Sequence, residues 1–67
     1  MSTLNPQTVV LLRRKDVESI TGLGRSAIYS LISKGKFPRP VKITARAVAW
    51  SQSEVIGWIE EKLSSPH

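Results

Sequence analysis

The chain has 67 residues, 40% of them hydrophobic and 22% charged, which suits one folded domain and leaves no room for a second core. It has no cysteine, which excludes a disulfide framework and a thiolate metal site, and no apolar run near the roughly 20 residues that cross a bilayer. Its net charge is +5 and every Lys and Arg except Lys62 lies between Arg13 and Arg46, a positive field that admits nucleic acid, an anionic membrane or an acidic protein as partner.

Residues 1–8 are polar, contain Pro6 and lack periodicity, so a mobile arm is expected over residues 1–9. The apolar run Val9 to Leu12 reads as a buried strand or a helix-entry segment. The basic cluster Arg13 to Lys15 follows it, the wrong order for a secretory signal, which points to a cytoplasmic protein. A first helix is expected from about Arg14 to Thr21, with Val17 and Ile20 on one face and Asp16 and Glu18 near its positive end. Gly22 stops it by taking the left-handed conformation, and Leu23 folds back onto the core.

A second helix is expected from about Arg25 to Lys34, with Ala27, Ile28, Leu31 and Ile32 as its apolar stripe and Gly35 as its stop. Ser26, Tyr29, Ser30 and Ser33 point the other way, with Arg25 at the start and Lys34 at the end, so this outer face offers hydrogen-bonding groups and no acid. The segment Phe37-Pro38-Arg39-Pro40 cannot be helical, because each proline forces its predecessor into an extended conformation. Two short strands should follow, Val41 and Ile43 alternating with Lys42, then Val48 and Trp50 alternating with Ala47 and Ala49, each with one apolar face. Thr44, Ala45 and Arg46 form the hairpin tip. Ser51-Gln52-Ser53-Glu54 has the spacing of a capping box and starts a third helix, which should reach about Leu63 with Val55, Trp58, Ile59 and Leu63 packed inward. The expected fold is mainly α with a small β-hairpin, in the order helix, helix, hairpin wing, helix. The domain is placed at residues 10–63 and a tail at 64–67.

Two constellations bear on function. Two short helices around Gly22-Leu23-Gly24 make a helix-turn-helix pattern, in which the first helix braces the second for a major groove; the same pair also occurs in proteins that never touch nucleic acid. The hairpin after it is basic, with Lys42 and Arg46 near its tip and Lys36 and Arg39 at its root. Such charges can meet phosphates or a narrow minor groove, or can simply discourage edge-to-edge aggregation. Charge of one sign on both hairpin and helix favours DNA. Catalysis has no support: His67 is the only histidine, and no serine has a base at a recognisable spacing. No metal ligand set and no cofactor motif is present, and Gly22-Leu23-Gly24 lacks the Gly-Lys-Ser/Thr end of a phosphate loop. Trp50 and Trp58 fall on apolar faces and read as core aromatics, whereas Tyr29 either caps the core edge or reaches a phosphate.

The blocks Leu12-Arg13-Arg14-Lys15-Asp16-Val17, Thr21-Gly22-Leu23-Gly24-Arg25-Ser26-Ala27-Ile28-Tyr29, Gly35-Lys36-Phe37-Pro38-Arg39-Pro40-Val41-Lys42, Arg46-Ala47-Val48-Ala49-Trp50 and Ser53-Glu54-Val55-Ile56-Gly57-Trp58-Ile59 resemble, in this order, the AlpA family of small phage and genomic-island regulators, which are similar to MerR-type winged helices and to excisionases. The resemblance covers about residues 10 to 63. It implies a DNA-binding regulator of genes of an integrated element, with Arg25, Ser26 and Tyr29 at the start of the recognition helix and Arg46 as the wing arginine. Gly24 stands where the family usually has a serine helix cap, and Thr44-Ala45 replaces the glycines usual at the wing tip.

The expected function is therefore sequence-specific DNA binding for transcription control by a non-enzymatic winged helix-turn-helix domain of a prophage or genomic island. The expected contact residues are Arg25, Ser26, Tyr29, Ser30, Ser33, Lys34, Lys36, Arg39, Lys42, Thr44 and Arg46. Double-stranded DNA is the expected partner, joined by further copies of the chain on repeated sites. An alternative is an excisionase-type factor that bends an attachment site and meets an integrase. A rival of another class is a protein-interaction module built on the third helix, which would leave an exposed apolar stripe from Val55 to Leu63. A membrane-surface role is excluded, since no helix joins a basic face to a strongly apolar one. RNA binding is disfavoured because no exposed aromatic pair is expected on a sheet.

Overall fold

A computed structural model of the protein describes residues 9–65. The elements are β1 (Leu11–Leu12), α1 (Arg14–Thr21), α2 (Arg25–Ser33), β2 (Val41–Thr44), β3 (Ala47–Ser51) and α3 (Gln52–Ser64). The order helix, helix, hairpin, helix is that of a mainly helical winged helix-turn-helix, with one strand added at the front. The arm expected over residues 1–9 and the end of the tail with His67 fall, except for Val9, outside the described residues.

Both glycine stops do what their sequence positions require. Gly22 has φ 75° and donates its N–H to Glu18 O at 2.9 Å. Gly35 has φ 72° and closes α2 in a Schellman motif, with Lys36 N–H to Leu31 O at 2.8 Å and Gly35 N–H to Ile32 O at 2.9 Å. That closure turns the next residue, Phe37, into the core. Between the helices the Thr21 hydroxyl donates to Val17 O at 2.7 Å and accepts from Leu23 N–H at 3.2 Å, so the turn is tied by a side chain as well as by glycine.

The sheet is antiparallel in the order β1-β3-β2, with Leu12 opposite Trp50 and Val41 opposite Ala49. Nearly every element gives the core one side chain: Leu12 from β1, Val17 from α1, Ile28 from α2, Phe37 from the linker, Trp50 from β3 and Val55 from α3. Strand β2 gives none. Leu23, Leu31, Ile32, Val48, Trp58 and Ile59 pack around this cluster. Both indoles also fasten the proline linker: Trp50 Nε1–H donates to Pro38 O at 3.0 Å and Trp58 Nε1–H to Lys36 O at 2.8 Å. Phe37 meets the Trp58 ring edge-on, with centroids 4.8 Å apart.

The apolar stripes are narrower than the periodicity suggests. On α2 the stripe centres on Ile28 with Leu31 and Ile32 close on either side, and Ala27, about 100° around the helix, is exposed. On α1, Ile20 sits about 60° from Val17 and is exposed, because this small core covers little more than one side chain per helix. Leu63 is 80% exposed: eight positions past Val55 it lies about 12 Å further along α3, beyond the sheet that covers the start of the helix.

The strands also depart from simple alternation. As the central strand, β3 has both Ala49 and Trp50 buried although they lie on opposite faces. Val41 (51% exposed) and Ile43 (48%) have nothing packed over them, so β2 has no buried apolar face. Lys42 is opposite Val48 and Thr44 opposite Ala47, which leaves Ile43 as an extra residue in a bulge. The hairpin tip is thereby shortened to Ala45-Arg46, with Thr44 in the strand. At the start of α3 one half of the expected capping box is formed: Ser51 Oγ accepts from Glu54 N–H at 3.5 Å. The Gln52 N–H, another free donor of the first turn, goes to Val10 O at 2.8 Å, so the segment before β1 helps seat this helix.

Candidate nucleic-acid interface

Helix α2 packs against α1 and presents its outer face to solvent. Arg25, Ser26, Tyr29, Ser30, Ser33 and Lys34 are all exposed on or just after it, joined there by Ala27. Ser33 Oγ turns back to donate to Ser30 O at 2.9 Å, so its hydroxyl is already engaged by its own helix. Tyr29 has a defined seat. Its ring meets that of Trp50 edge-on at 6.3 Å, and the Arg25 guanidinium lies over it at 5.9 Å from the centroid. This one-turn spacing aligns Arg25 along the helix through a cation–π contact. Tyr29 thus caps the core edge with its ring while remaining part of the outer surface.

The wing places Lys42 and Arg46 in solvent, with Arg39 at its root. Lys42 is the cross-strand partner of Val48, so both leave the sheet on one face. At the tip, where no glycine relaxes the turn, Thr44 Oγ1 accepts from Arg46 N–H at 3.2 Å, an ST-type turn that sets where Arg46 departs from the strand.

The eleven residues expected to touch nucleic acid are all exposed, but they do not form one patch. Tyr29 and Arg46 line a concavity of about 640 Å³ together with Arg13, Arg14, Lys15, Asp16 and Val48. Lys36 lies elsewhere, in a second concavity on the α3 side with Glu54, Glu61 and Lys62, where acids offset its charge. The basic cluster from Arg13 to Lys15 is absent from the sequence-based contact set. Its run of three cations was the available signal, but only folding carries it to the wing.

Electrostatics separate the two sides. On the α2 and wing side the acids are internally committed: Asp16 Oδ2 accepts from Arg13 N–H at 3.0 Å, and Glu18 Oε2 accepts from Arg14 Nε–H at 3.0 Å. That second contact is the only ion pair among the described residues, and it is half-exposed. On the α3 side, Glu54, Glu60 and Glu61 stand against Lys62, whose ammonium lies 5.3 Å from the Trp58 ring centroid. The apolar stripe that would mark α3 as a protein-docking helix is largely consumed, since Val55, Trp58 and Ile59 pack on the core. Among the described residues there is no group of three potential metal ligands, and no helix is long and apolar enough to cross a membrane.

The family model described as Prophage CP4-57 regulatory protein (AlpA) matches residues 10–63, from just before β1 to the last turn of α3. The chain belongs to the AlpA family of prophage regulatory proteins. A curated relative, the uncharacterized protein ORF88 of Enterobacteria phage P4, is 43% identical over 53 residues, covering 79% of this chain and 60% of that protein. The match from Val10 to Leu63 includes β1, whose pairing with β3 seats α3, so the AlpA-type unit takes in the first strand as well as the helix-turn-helix and wing.

Proposed function

We propose that this AlpA-family chain is a sequence-specific DNA-binding transcriptional regulator of a prophage or genomic island, acting in the cytoplasm on double-stranded DNA. Helix α2 enters the major groove, where Arg25, at its first turn, reads a guanine edge with its bidentate fork. The wing lies on the neighbouring backbone through Lys42 and Arg46. The observation that carries this reading is the segregation of charge. The outer face of α2, the wing and the start of α1 carry exposed cations, and the acids among them are held by internal hydrogen bonds. Lys36 contributes little, because it shares its concavity with Glu54 and Glu61.

A single domain reads few base pairs, and each correct contact supplies about 1–3 kcal/mol of discrimination, so several copies act on repeated sites. The test is competition binding of the full chain against a randomised duplex library. Arg25→Ala is expected to cost about 1–3 kcal/mol and to relax preference at one position. Full retention of sequence preference by Arg25→Ala, with loss of preference on Lys62→Ala, would put the wrong helix in the groove.

A further inference from the structure

We infer that the concavity between the start of α1 and the wing is a phosphate seat for the DNA backbone, formed by Arg13 and Lys15 with Tyr29 and Arg46. The inference rests on the DNA-binding reading above and adds to it a site that reads no base edge and takes from the expected contact set only Tyr29 and Arg46, joined by the cations at the start of α1. Four parts of the fold meet there: the residues before and in the first turn of α1, Tyr29 of α2, the hairpin turn with Arg46, and Val48 of β3.

The side chains around this concavity are unequal in what they have left to give. Arg14 is spent on Glu18 at 3.0 Å, and the carboxylate of Asp16 is occupied by the Arg13 N–H at 3.0 Å. Arg13, Lys15 and Arg46 have no ion-pair partner among the described residues. Three like charges facing one concavity repel each other. An anion with several acceptor oxygens relieves that repulsion, and arginine forks match phosphate oxygens in pairs. The Tyr29 ring is seated against Trp50 and Arg25, which sets the place of its hydroxyl, and that hydroxyl can turn its proton to an anion.

The source of the phosphate follows from position. The concavity is bounded on one side by the outward face of α2 and on the other by the wing tip, so a strand that runs from one to the other passes over it. A backbone phosphodiester held there fixes the register of α2 without reading a base. Arg46 is accordingly a backbone clamp and not a minor-groove reader.

Because phosphate contacts are independent of sequence, a mixed-sequence duplex at low salt is a sufficient probe. The full chain is compared with the Arg13→Gln/Lys15→Gln variant, which leaves the Arg13 N–H bond to Asp16 in place, and with Lys62→Ala as a charge control. Losing two phosphate contacts lowers the slope of log K against log salt by about 1.8 in magnitude, and Lys62→Ala leaves it unchanged. On the wild-type chain, the side-chain N–H signals of Arg13 and Arg46 shift together during duplex titration, a readout that does not depend on any variant folding. Inorganic phosphate at the same concentration leaves them in place. An unchanged slope in the double variant, or arginine signals that ignore the duplex, overturns the seat while the wild type still binds DNA. Saturation by inorganic phosphate alone replaces it with a small-anion site. A wild-type chain that binds no duplex at any salt overturns the DNA-binding reading itself.

Discussion

The two strands of the hairpin are neighbours with opposite duties. Strand β3 is buried on both faces, paired on both edges and packed by α1 and α3, and its Trp50 also fastens the linker. Strand β2 is exposed at every residue, bulged at Ile43 and paired on one edge only. One strand therefore organises the fold and the other displays charge. Because β2 contributes nothing to the core, Lys42 and the turn residue Arg46 can be set for a partner without a packing cost.

Trp50→Ala should break the organising half outright. Removing a fully buried indole is expected to cost about 3–5 kcal/mol, comparable to the whole stability of a domain this small. Val41→Ala on the partner strand should cost below about 1 kcal/mol, being half-exposed. Urea denaturation of both variants measures the contrast, and equal losses would mean that β2 is a core strand after all.

A smaller effect is expected at the second indole. Trp58→Phe keeps most of the ring beside Phe37 but removes the N–H that Lys36 O accepts, and should lower stability by about 1 kcal/mol. Because this bond ties α3 to the linker that leads into β2, amide exchange should quicken first at Lys36, whose N–H is bonded to Leu31 O. Uniform loss of protection across the domain would show instead that the linker is held by other means.

The smallest effect on stability belongs to the wing. Lys42→Ala and Arg46→Ala should each leave the thermal midpoint within the range of about 0.5 kcal/mol usual for surface changes. Each should still weaken duplex binding and reduce its salt slope by about 0.9. A wing variant that melts early would remove the separation between organising and displaying strand.

Much of this was legible in the residues. The bounds of α1 and α2 follow from their stripes and from Gly22 and Gly35, which hold the left-handed conformations that only glycine adopts cheaply. The outward set on α2 follows from the same periodicity. The misreadings of Ile20, Ala27 and Leu63 share one cause: periodicity says which way a side chain points, not whether anything stands there to cover it. The bulge at Ile43 and the short tip left no signal, because register depends on how both strands settle against a common core.

What the sequence determined by itself was local and chemical: the helix limits, the extended proline linker, the concentration of cations before Lys62, and the family likeness carried by ordered blocks. The tertiary structure alone decided which of those cations stand together. Arg13 and Lys15 lie far from Arg46 along the chain, and they share a concavity because β1 pairs with β3 while β3 also carries the wing. Lys36, whose N–H closes the Schellman turn at the end of α2, is carried to the opposite, acidic side because Phe37 must enter the core and the two indoles pin the linker there. Charge is fixed by composition, but its arrangement follows from burial, and in so small a domain burial is settled by a few apolar side chains far from the charges themselves.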